Sequence, residues 1–194
     1  MASKNDIITL PHPNLRTKSQ KVTAITDEIK QIISDMEAAT LDWEASRPHE
    51  VGVALAAVQI DKLYRIVVIR NNFDDKNDRS FVTLINPEIV KKEGVEEVDH
   101  EGCLSIKDVY GMVKRASKVR IKALDIEGRE IRLKLEGFIA RVLQHEIDHT
   151  NGVMFIDHIT DEKGFFKLDD EGKLVPLDYK TIKNLGILKD ENND

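Results

Sequence analysis

ARVLQHEIDHTNG, residues 140–152, sets two histidines four positions apart, with a glutamate directly after the first. At 3.6 residues per turn, residues i and i+4 lie one above the other, so His145 and His149 share one edge of a helix. Ile139, Val142 and Leu143 define the apolar stripe of that helix, and Glu146 falls near its centre. Ala140, Arg141, Gln144 and Asp148 lie opposite or to one side. A carboxylate within an apolar stripe is costly unless something pairs with it. A dication held by the two imidazoles would be that partner. HExxH on a helix is the spacing that supplies two metal ligands and an acid able to serve as general base.

A third ligand has to come from elsewhere. His12 and His49 neighbour prolines or acids and read as surface residues. Cys103 is one candidate, because a thiolate binds a borderline dication well, and Gly102 before it lets another element approach. His158, nine positions past His149, is the other. Either choice leaves one tetrahedral position for water, the arrangement of a catalytic site. Spacing alone leaves both open.

Around this helix the chain reads as α+β. Thr26-Asp27-Glu28 is a helix start, and Ile29, Ile32, Ile33 and Met36 continue it at helical spacing to about residue 44. YRIVVIR (64–70) and FVTLIN (81–86) read as strands, with Asn86-Pro87 as a turn or strand break. Alternation at Val119–Ala123 and Ile131–Leu135, about Glu127-Gly128, predicts a hairpin, and FFKLDDEGKLVPL (165–177) predicts another. The expected architecture is mixed and antiparallel strands packed around a central HExxH helix, with an N-terminal helix on the outside. One domain is expected over residues 1–194, with a frayed tail from about 186.

Composition narrows the function classes. The chain has 194 residues, 41% of them hydrophobic, and a net charge of −6, so it lacks the basic footprint of a nucleic-acid binder. No targeting or membrane-spanning stretch is read at the N-terminus. A single cysteine excludes an internal disulfide and suits a reducing compartment, so a cytoplasmic location and a monomer are expected.

Three blocks together resemble the peptide deformylase family. GVALAAVQ (52–59) is similar to that family's small-residue block ending in glutamine, while EGCLS (101–105) and QHEIDH (144–149) match its other two blocks at every position. The resemblance selects Cys103 with His145 and His149 as metal ligands and Glu146 as general base and acid. It implies that Gln59 and the Leu104 backbone N–H donate to the developing oxyanion, and that Glu101 and Arg115 pair behind the site. Val53, Ala54, Gly102, Phe138 and Val142 would bind the substrate. It further implies one divalent ion per chain, Fe(II) in vivo with Zn(II) or Ni(II) in recombinant material, and N-formylmethionyl peptides as substrates, with formate released. Transient ribosome association is left open.

Two positions depart from the family pattern. Ala54 stands at the second glycine of the first block, and Lys107 stands where many members have proline. Two rival readings remain at this level. One is an HExxH peptidase using His158 as third ligand. The other is a metal- or peptide-binding module without turnover, which would have no use for a buried Glu146.

Overall fold

The computed structural model describes residues 1–47 and 50–189. His49, read above as a surface residue, and the tail beyond 189 lie outside the described residues. Helix α1 covers Asp27–Ala45. The Thr26 side chain accepts a hydrogen bond from the Ile29 amide, and Asp27 and Glu28 place negative charge in the first turn, where the helix dipole favours it. Its apolar face joins Leu55, Ile66, Val68 and Ile85 in one buried cluster. Gly52 fits against this helix because a Cβ there would stand 2.9 Å from the Thr40 carbonyl oxygen. The small residues that follow can therefore run close beneath α1.

Among the described residues seven strands form one sheet: β1 (Ala54–Ala56), β2 (Ile66–Arg70), β3 (Phe81–Cys103), β4 (Ile106–Leu124), β5 (Glu130–Glu136), β6 (Phe165–Leu168) and β7 (Leu174–Pro176). The order is β1-β2-β3-β4-β6-β7, and β5 also pairs with β4. The sheet is not mixed. All of these pairs are antiparallel, and among the described residues the one parallel contact is an isolated bridge between Gln20 and Tyr64. Short connections explain this for the pairs of consecutive strands, since a parallel pair needs a crossover of a dozen or more residues, whereas β4 and β6 are joined through α2.

Asn86-Pro87 is not a strand break. β3 runs through it with a register shift between Ile85 and Glu88, and Asn86 adopts φ +53°. The Asn86 side chain takes over the pairing, accepting from the Val22 amide and donating to the Val22 carbonyl, both at 2.8 Å. Proline, which has no N–H to give, is tolerated at such a bulge.

Helix α2 (Gly137–Thr150) carries the HExxH motif. Ala140, Leu143 and Ile147 pack against β1, β2 and β4 through Ala54, Ala56, Val67 and Ile121. Gln144, which the wheel sets opposite the apolar stripe or to one side of it, is buried. Its Oε1 accepts from the Ala116 amide (3.2 Å) and its Nε2 donates to the Ala116 carbonyl (2.9 Å), which clamps α2 to β4. A third cluster holds Met154, Phe155, Phe165, Ile182 and Ile187. It includes a short helix, α3 (Tyr179–Asn184), for which the sequence reading gave no element. Packing reaches Ile187. No helix among the described residues is long and apolar enough to cross a membrane.

Candidate metal centre and substrate cavity

Cys103 ends β3, and β4 begins at Ile106, so EGCLS forms the tip of the longest hairpin among the described residues. That tip leans on α2. Cys103 Sγ lies 3.3 Å from His149 Nε2, and the two Nε2 atoms of His145 and His149 are 3.1 Å apart. Among the described residues these three side chains form the one cluster able to hold a metal, with donor atoms within 4.8 Å of one another. His158 is not part of it. Its Nε2 lies 2.7 Å from an Asp148 oxygen.

The donor set fits a dication. Bonds of about 2.0–2.3 Å at tetrahedral angles hold ligand atoms about 3.3–3.7 Å apart, close to the spacing found. His145 Nδ1 lies 2.9 Å from Glu101 Oε2 and must donate to it, which leaves Nε2 to face the cluster. Glu146 is buried, and its Oε2 has no hydrogen-bond partner among the described residues. Burial pushes its carboxyl up to about 7. A cation beside it would supply the missing partner.

Glu101 organises the region behind the cluster. Arg115 Nε and Nη2 donate to its two oxygens at 2.9 and 3.0 Å, Arg141 Nη1 donates at 2.9 Å, and His145 completes the set. Burial alone would raise the Glu101 pKa, but the hydrogen bonds from His145 and Arg115 outweigh it and hold the carboxyl well below the usual range. Arg115 also pairs with Asp148. Two guanidinium groups thus meet two carboxylates. Burial also opposes the charged form of His145, yet Cys103 and Glu101 together keep it protonated well above the ordinary histidine range. His149, buried and facing that charge, is held well below it.

Gln59 is held by three contacts. Its Oε1 accepts from the Ala56 amide at 2.9 Å, while its Nε2 reaches Ser105 Oγ at 3.1 Å and Cys103 Sγ at 3.5 Å. A cavity of about 170 Å³ opens beside the cluster. Gln59, Leu104, His145 and Glu146 line it, and so do Val53, Ala54, Gly102, Phe138 and Val142, the five residues expected around the substrate. Gly102 is required for a second reason, because a Cβ there would stand 2.6 Å from the Tyr110 ring.

Sequence reasoning missed two residues of this region. Arg141 was placed off the apolar stripe, but it is buried and also donates to the carbonyls of Val113 and Glu97, each at 2.8 Å. Ser105, fully buried, orients Gln59. Arg141 lies one helical turn before His145, and that spacing was the available signal.

A Cys/His/His cluster able to hold a metal, with a buried glutamate next to one ligand on the same helix, is the architecture of a metal-dependent hydrolase. The profile of the family described as polypeptide deformylase matches residues 4–164. Similar proteins include a peptide deformylase of Thermomicrobium roseum, 42% identical over 85% of this chain and 91% of the relative. Another, from Rhodopirellula baltica, is 36% identical over 95% and 87%. Among solved structures, a peptide deformylase from Legionella pneumophila superposes with TM-score 0.72 at 38% identity, covering 82% of this chain and 87% of that one. One from Synechococcus elongatus in complex with actinonin gives 0.71 at 36% identity, with 80% of each covered. The chain belongs to the polypeptide deformylase family, whose members are metal-dependent and act on formylated peptides.

Proposed function

We propose that this chain is one catalytic domain that removes the formyl group from N-formylmethionyl peptides, with Cys103, His145 and His149 holding the metal. The observation that carries the reading is the donor cluster with the unpartnered Glu146 carboxylate beside it, opening onto an apolar-walled cavity. A dication held there supplies Lewis acidity, polarising the formyl carbonyl and acidifying water. Fe(II) is the ion the family resemblance implies, with Zn(II) or Ni(II) able to take its place in recombinant material.

Each residue then has a task. Glu146 takes a proton from the attacking water and delivers it to the departing nitrogen, a role its buried place beside the donor cluster and the cavity suits. Gln59 Nε2 donates to the carbonyl oxygen as that oxygen gains charge, together with the Leu104 N–H; each donor contributes roughly 3 kcal/mol at the transition state. Glu101 and Arg115 fix the His145 ring. The methionine side chain enters the cavity between Val53, Phe138 and Val142, past the Ala54 methyl. β1 ends the sheet order among the described residues, a position at which an extended peptide can add a strand.

The test is formate release from formyl-Met-Ala by anaerobically purified protein, with metal content measured on the same sample. About one ion per chain with formate released is expected, and Cys103→Ser is expected to lose both. A fully loaded sample that releases no formate would overturn the reading.

A further inference from the structure

We infer that the C-terminal hairpin β6–β7 forms a selective wall for the peptide residues downstream of the formylmethionine, favouring apolar side chains. This rests on the deformylase reading and extends it to a part of the chain beyond the family match, which stops at residue 164.

The 170 Å³ cavity is not the only opening at the cluster. A larger groove, about 420 Å³, shares Val51, Gly102, Cys103 and Leu104 with it, so the two spaces meet where the scissile bond would lie. The small cavity suits one side chain, and the rest of an extended peptide needs a continuous way out. Trp43 and Arg47 border one side of that groove, and Leu168, Gly172 and Leu174 of the hairpin border another.

The hairpin is built to hold that position. Phe165 and Phe166 pair with Gly111 and Tyr110 of β4, Phe165 is buried, and the Phe166 ring meets His100 edge-on at 4.8 Å. Leu168 and Leu174 are direct cross-strand partners, so their side chains share one face. Leu174 nevertheless remains 36% exposed. Two neighbouring leucines, incompletely covered and bordering a groove that starts at the metal ligands, are suited to an apolar side chain.

Charge on the other wall argues against an ionic preference. Arg47 Nη1 is engaged by Glu50 at 3.0 Å and by Asp108 at 3.2 Å, and the Tyr110 hydroxyl donates to Glu50 at 2.7 Å. Lys107, exposed, is the remaining charged residue lining the groove.

The experiment compares formylated peptides of five residues that carry leucine or serine at the third, fourth or fifth position, the others being alanine after the methionine. The readout is the leucine-to-serine ratio of kcat/KM at each position. The loaded parent enzyme is expected to prefer leucine about tenfold at one of these positions. The ratio should fall to about one in Leu168→Ser/Leu174→Ser, fall partway in Leu174→Ser, and persist in Leu174→Met. Equal rates for leucine and serine peptides in the parent, or a preference that survives the double substitution, would overturn the wall. Formate release from none of the peptides would overturn the deformylase reading and the wall with it.

Discussion

Replacing Glu146 by glutamine should make the metal-stripped protein more stable at neutral pH while destroying its activity. The Glu146 carboxyl rises from an ordinary 4.5 to about 7 because it is buried. The folded state therefore holds a proton that the unfolded chain has already released between those two values. Stability contributed by the protonated form is complete below pH 4.5, falls as pH rises towards 7, and is level above that. The displacement corresponds to about 3 kcal/mol lost by pH 8. Glutamine has nearly the same shape and does not titrate, so Glu146→Gln escapes the loss.

Urea unfolding with chelator and reductant, at pH 5 and again at pH 8, measures this directly. The parent should lose about 3 kcal/mol more than the variant across that interval, and the m-values should agree. Restoring the dication should shrink the difference, because a neighbouring positive charge stabilises the carboxylate. The same variant should bind metal like the parent and release formate 10²–10⁴-fold more slowly. Parallel pH dependences for parent and variant under chelation would show that Glu146 escapes to solvent, and the argument from its burial would be refuted.

Removing Gln59 as Gln59→Leu should lower kcat by about 10²–10³-fold through loss of a transition-state donor, with a much smaller change in KM; steady-state kinetics on formyl-Met-Ala checks it. Glu101→Ala should destabilise the fold by about 3–5 kcal/mol in urea titrations, since it leaves two arginines buried without their shared carboxylate. Because the Glu101 pKa is depressed, its contribution is present above about pH 4.5 and is lost as pH falls below that towards the depressed folded value; acid titration of parent against Glu101→Gln should show this sign. His158→Ala should retain the metal, measured by elemental analysis, because His158 contacts Asp148 and not the donor cluster.

Periodicity revealed what is local. The α1 cap at Thr26, the turn at Gly128 and the burial of Glu146 all follow from residues within a few positions of one another, and all are found. What periodicity could not choose was the third ligand. Cys103 stands 42 positions before His145, and only the folding of β3 onto β4 carries its sulfur to α2. The resemblance of EGCLS to a known block had to make that choice. The bulge at Asn86 was hidden for a related reason, since its partner Val22 lies 64 positions away.

Arg141 shows the limit of a helix wheel most clearly. A wheel finds the face turned to the apolar core, and Ala140, Leu143 and Ile147 point there. It does not show that α2 has a second covered side, where the β3–β4 hairpin passes. Arg141, His145 and Asp148 recur at helical spacing along that side, as a polar stripe beside the apolar one. The hairpin answers with Glu101 and Arg115, so that cations and anions alternate across the interface. Each group is expensive to bury alone, and together they close with every Glu101 oxygen satisfied. The donor cluster thus sits between two differently built walls. One is apolar and leaves Glu146 in need of a cation, and the other is polar and sets the His145 ring to face one.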